Sequence, residues 1–100
     1  MPLVLLLLFA GYGVQPQPIP RPLTVAAFLA LCDADAKVCN DRIFDLIWER
    51  SVGDQRLSFC VPEVEPAPRV TAWLKARPTL ADTPTDPALI KALEATFRCG

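Results

Sequence analysis

Apolar residues from Thr24 onward recur at helical rather than strand spacing, and polar or proline-bearing stretches divide them into four segments. Thr24 stands ahead of VAAFLALC, where its hydroxyl is placed to cap a helix that turns Val25, Phe28, Leu29 and Cys32 to one face. Asp33 to Lys37 is short and polar and predicts a break. A second helix is predicted over about Val38 to Val52, with Ile43, Phe44, Ile47 and Trp48 inward and Gly53 ending it as a left-handed cap. Arg56 to Cys60 has extended character but no second run to pair with, so no sheet is expected.

Pro66 and Pro68 mark the next helix start, because a proline in the first turn gives up no helical hydrogen bond. Val70, Trp73 and Leu74 then share a face, and Pro78 disfavours helical geometry at Arg77. Thr79 to Thr85 reads as a polar loop stiffened by Pro78, Pro84 and Pro87, with Leu80 its one obligatory core residue. Asp86 followed by Pro87 predicts a capped restart, and Leu89, Ile90, Leu93 and Phe97 form the buried stripe of the last helix. The fold class expected is all-α, a small bundle of about four short helices.

The first 23 residues are of another kind. Leu3 to Ala10 is an unbroken apolar run, too short for a bilayer core that takes about 20 residues. With Gly11 and Gly13 flanking Tyr12, it reads as a signal peptide over residues 1–13, cleaved after Gly13, although the usual basic start is missing. A buried N-terminal helix is the alternative. Pro16, Pro18, Pro20 and Pro22 block helix and sheet over 14–23 and favour an extended polyproline linker. Residues 24–100 form the remaining domain.

That domain has about 77 residues, a size at which an apolar core alone is marginal. Its four cysteines supply staples: the spacings lack the paired short gaps of structural zinc ligands, there is no histidine, and an export signal implies an oxidising compartment. Three pairings are possible. If successive helices run antiparallel, Cys32 ends the first where Cys39 begins the second, and Cys60 precedes the third while Cys99 ends the fourth. The expected bridges are therefore Cys32 with Cys39 and Cys60 with Cys99. On one straight helix, seven residues would put Cys32 and Cys39 about 10 Å apart, beyond disulfide reach, so the first bridge requires a break at Asp33 to Lys37.

Candidate chemistry narrows quickly. Without histidine, with Ser51 and Ser58 the only serines and the cysteines committed to bridges, common nucleophile and base pairs cannot be assembled; no enzyme, catalytic residue, metal or cofactor is expected. Asp41, Asp45 and Glu49 follow one another at i, i+4, i+8, but Arg42 and Arg50 lie nearby, so they read as a solvated, salt-bridged face. A net charge of −1 and scattered basic residues give no stripe for nucleic acid and no attraction to an anionic membrane. Trp48 and Trp73 read as core residues, with a binding surface the sharper alternative. The proline-stiffened loop Thr79 to Thr85 suits insertion into a partner's cleft, because a rigid loop loses little entropy on docking; a plain connector is its bland reading.

The order FLALC, CNDRI, FCVP, VTAWLKARP and PALIKALEATFRC resembles the Tai-type family of periplasmic immunity proteins, the type VI secretion amidase immunity and resistance-associated group. The resemblance covers roughly residues 24 to 100. Its specific part is the closing half: Phe59, Cys60 and Pro62, then Trp73, Leu74 and Pro78, then Ala88, Leu89, Ala92, Leu93, Phe97 and Cys99. Arg42 and Asp45 stand where the family tends to a tyrosine and a glycine, and Arg98 where a proline is usual. The resemblance implies a small helical protein, often a homodimer, held in the periplasm to occlude a peptidoglycan-cleaving amidase effector. Carried over by position, it nominates Arg77, Thr79, Leu80, Asp82 and Thr83 as partner-binding residues, with Arg69 in support. The competing class is a small acid-stress chaperone of the envelope, or an orphan envelope protein of the same fold, with no stable membrane insertion in either case.

Overall fold

The computed structural model describes residues 21–53 and 56–99. The signal peptide expected over 1–13 and residues 14–20 of the linker lie outside the described residues. Four helices follow in order: α1, Val25–Ala34; α2, Ala36–Val52; α3, Ala67–Lys75; and α4, Thr85–Thr96. A single 3-10 turn, Pro78–Leu80, sits between α3 and α4. No strand occurs among the described residues; the nearest feature is one antiparallel bridge between Thr24 and Pro84. The all-α class is as the periodicity predicts.

Thr24 caps α1, its Oγ1 accepting from the Ala27 amide at 3.2 Å. The break after α1 is one residue, shorter than the predicted Asp33 to Lys37. Asp35 alone is extended (φ −155°, ψ 104°), and it ends one helix and starts the next. Its carboxylate accepts from the amides of Lys37 and Val38, so α2 begins two residues earlier than the apolar pattern suggests. This corner brings the Cα atoms of Cys32 and Cys39 to 4.6 Å, where one continuous helix would hold them about 10 Å apart. The second bridge joins Cys60 and Cys99 at 5.0 Å between Cα atoms, and the Cys60 amide donates to the Phe97 carbonyl at 2.8 Å. Both pairings agree with those argued from helix direction.

The core collects Val25 and Phe28 of α1, Cys39, Ile43, Leu46 and Ile47 of α2, Phe59 of the connection, Val70 and Leu74 of α3, and Leu89, Ala92, Leu93 and Phe97 of α4. Phe44 and Trp48 are not among them, which corrects the predicted inward face of α2. Trp48 is 68% exposed and Phe44 39%. The cause is rotational. Cys39, tied to Cys32, fixes which side of α2 faces α1; Ile43 and Leu46 follow it at i+4 and i+7, and Trp48 lies about 200° around the helix from Leu46. Gly53 is corrected as well: at φ −84°, ψ 15° it is no left-handed cap, and a Cβ there would meet the Glu49 carbonyl at 3.4 Å, an ordinary contact.

Two polar residues are built into the core side of α2. Asn40 donates through Nδ2 to the Ala36 carbonyl and accepts through Oδ1 from the Ala67 amide at 2.9 Å. It thereby caps α3 from a neighbouring helix, a service Pro66 at the local cap position cannot perform. Arg42, expected on a solvated face, is 1% exposed. Its Nη2 donates to Asp86 at 2.9 Å and its Nη1 stands 3.9 Å from Glu49, while Nε and Nη1 make no hydrogen bond among the described residues. The remaining acidic face is as predicted: Asp41 pairs with Lys37 at 2.7 Å, Glu49 pairs with Arg21, and Asp45 is exposed.

The last helix starts one residue before the predicted cap. Thr85 opens α4 behind Pro84, and Asp86 sits within the first turn, where its carboxylate serves Arg42 rather than the helix amides. Leu89 and Leu93 are fully buried, as the stripe requires.

Candidate functional site

Arg77 to Thr83 leaves the end of α3 as a compact, hydrogen-bonded loop. The Arg77 amide donates to the Leu74 carbonyl, Leu80 to Arg77, Ala81 to Pro78, and Thr83 to Leu80 at 3.0 Å. The Thr83 hydroxyl also donates to the Leu80 carbonyl, at 2.6 Å. Pro78 holds the first position of the 3-10 turn, where no amide is needed.

The loop is fastened to α1 as well as closed on itself. The first amides of α1 have no partners within their own helix, and they donate outward: Val25 to the Thr83 carbonyl at 3.1 Å and Ala26 to the Ala81 carbonyl at 2.9 Å. Thr85 donates back to the Leu23 carbonyl at 3.2 Å. Leu80 is half-buried and packs against the core, which pins the middle of the loop from below. Thr79 and Asp82 are left exposed. The result is a surface whose backbone is fixed and from which Arg77, Thr79 and Asp82 face solvent.

Arg77 is set at one edge of this surface. Its guanidinium lies 3.8 Å from the centre of the Trp73 ring, and its Nη1 donates to the Trp73 carbonyl at 2.9 Å. Trp73 is half-buried against the core, so it supports the arginine instead of serving as a contact on its own. Beside Arg77 a groove of about 400 Å³ runs between α1 and the end of α3, floored by Val25, Leu29 and Leu74. The ion pair of Lys75 with Asp33, 3.1 Å, crosses from α3 to α1 at its rim. The sequence pattern marked Val25, Leu29 and Leu74 as apolar, but nothing in it shows that α1 and α3 leave a channel between them.

Five of the six nominated residues therefore belong to one surface: Arg77, Thr79, Leu80, Asp82 and Thr83. Arg69 does not join them. It lies in the first turn of α3, about 9 Å of helix rise before the helix ends at Lys75, with its guanidinium 5.3 Å from the Phe97 ring and beside Cys60. Among the described residues no group of three or more histidine, cysteine or carboxylate side chains is placed to hold a metal ion, and no helix is long and apolar enough to cross a membrane. Comparison with models of protein families, with curated proteins and with solved structures gives no match in any of the three.

Proposed function

We propose that this chain is a periplasmic immunity protein, exported and disulfide-stapled, that binds a peptidoglycan amidase effector of a type VI secretion system and occludes its active site. The observation that carries the reading is the loop Arg77 to Thr83, closed by its own turns and fastened to the start of α1 by two backbone hydrogen bonds. A loop held in this way gives up little freedom on docking, so more of the contact energy appears as affinity. The two bridges accord with an oxidising compartment, and the resemblance of the closing half of the sequence supplies the class of partner. Arg77, stacked over Trp73, presents a fixed positive charge at the loop edge, while Asp82 presents a negative one. Together they suit a cleft with charges of both signs.

The test is affinity capture from secretion-active cells with the oxidised protein, followed by peptidoglycan hydrolysis assays on the partner. A single cell-wall amidase, inhibited stoichiometrically, supports the reading. The loop is then probed with Thr79→Glu and Asp82→Lys together, two exposed positions that leave the core contact of Leu80 intact. This variant should weaken inhibition at least tenfold with an unchanged helical circular-dichroism spectrum. Many clients retained only at low pH would favour the chaperone class, and inhibition indifferent to both substitutions would return the loop to a connector.

A further inference from the structure

The groove beside Arg77 has the dimensions and lining of a ligand site. Its volume of about 400 Å³ lies within the roughly 300–1,000 Å³ of small-molecule pockets. From Val25 to Asp33 it follows about 12 Å of α1. Ala26 and Ala30, one turn apart on α1, line it with side chains too short to fill it, over the floor of Val25, Leu29 and Leu74. Both ends are marked. Ala81 stands at one, its carbonyl accepting from the Ala26 amide, and the Lys75–Asp33 ion pair crosses at the other.

The charges around this groove do not cancel. Its charged lining residues are Asp33, Lys75 and Arg77, and the first two satisfy each other at 3.1 Å. Arg77 has charge to spare. Its guanidinium is held over the Trp73 ring and spends Nη1 on the Trp73 carbonyl, and it makes no other hydrogen bond or ion pair among the described residues. Nε and Nη2 therefore remain open as a side-on fork, the geometry that accepts both oxygens of a carboxylate. Because the stack on Trp73 already orders the side chain, binding costs it little further freedom.

We propose that this groove binds an acyl chain that ends in a carboxylate. The head group sits in the fork of Arg77, and the tail lies over Val25, Leu29 and Leu74 toward the Lys75–Asp33 pair. That pair carries no net charge, so it closes the far end without competing for the carboxylate. Removal of the tail from water supplies the affinity, and the arginine supplies direction and the preference for an anion. A bare hydrocarbon would leave the fork to water, and a cationic amphiphile would meet Arg77 with like charge. The site shares Arg77 with the loop proposed to meet the amidase, but it stands whether or not that reading does.

The oxidised full chain is titrated with octanoate and with octanol, the same tail with and without the charge, by calorimetry and methyl NMR. Octanoate should bind about threefold to fivefold more tightly, the worth of an exposed but pre-ordered ion pair, and should move the methyl signals of Leu29 and Leu74 but not of Ile43. Arg77→Gln should erase that preference and leave octanol binding unchanged. Ala30→Phe, which fills the groove from an exposed position, should abolish binding of both, with the helical circular-dichroism spectrum intact in each variant. Four outcomes overturn the proposal. Equal affinity for acid and alcohol means that the groove does not read charge, and an Arg77→Gln loss shared by both ligands means that the arginine only shapes it. Octanoate binding that survives Ala30→Phe lies elsewhere on the chain, and no binding of either ligand leaves the groove to a protein partner.

Discussion

Arg42 and Asp86 make an asymmetric pair, and replacing each should show opposite consequences. The Arg42 side chain is 2% exposed and Asp86 36%, with 2.9 Å between Nη2 and Oδ1. Asp86→Asn leaves a buried guanidinium with a neutral partner. Stranding a fully buried charge costs about 3–5 kcal/mol, and solvent access to Asp86, together with Glu49 at 3.9 Å, lowers the expectation to about 1–3 kcal/mol. Arg42→Met removes the charge itself. It forfeits one charge-assisted hydrogen bond, worth about 1.5–3 kcal/mol, but also relieves the desolvation of Nε and Nη1, which make no hydrogen bond among the described residues, at about 1–3 kcal/mol. Arg42→Met should therefore fall within about 1 kcal/mol of the parent. In the Arg42→Met background Asp86→Asn should cost less than about 1 kcal/mol, the residue of its favourable place in the first turn of α4. Urea unfolding of the four oxidised proteins at pH 7 gives the cycle, and the Asp86→Asn loss should appear as a fall of about 4–8 °C in Tm per kcal/mol. An Arg42→Met protein destabilised by about 3 kcal/mol or more, or as much as Asp86→Asn, would refute the argument that the buried arginine sits close to energetic balance.

Three further outcomes are expected. Opening the Cys60–Cys99 bridge with a Cys99→Ser substitution should cost more than opening Cys32–Cys39: by chain entropy about 4 against about 2.5 kcal/mol, from sequence separations of 39 and 7, measured by denaturant unfolding. Asn40→Ala leaves the buried Ala67 amide without its acceptor and should cost about 1–3 kcal/mol, with amide hydrogen exchange rising first in the opening turn of α3. Lys37, bonded to Asp41 and attracted by its charge, titrates above its ordinary 10.5. The stabilisation from this pair is therefore complete below 10.5 and lost as pH rises through the folded value. An NMR titration of the Lys37 side chain should show a midpoint above 10.5 that Asp41→Asn lowers.

Local signals carried the element order. The Thr24 cap, the prolines before α3 and after it, and the stripe Leu89, Leu93 and Phe97 act through neighbours within four residues, so their consequences can be written from the chain alone. Disulfide pairing was also within reach, because helix direction restricts which ends can meet. Five of the six nominated partner residues come together for the same reason: they are close neighbours in a loop that proline and turn chemistry close locally.

What tertiary structure alone decided is the rotation of α2 and everything that depends on it. Phe44, Trp48, Ile43 and Leu46 offer more apolar residues than one face can bury, and the tie from Cys39 to Cys32 selects the side holding Ile43 and Leu46. That same choice turns Arg42 inward, where Asp86, 44 residues away, meets it, and brings Asn40 to the open end of α3, 27 residues away. It leaves Trp48 in water. Periodicity fixes how residues are spaced around a helix but not which way the helix faces; only the partners it packs against, distant in sequence, can set that angle.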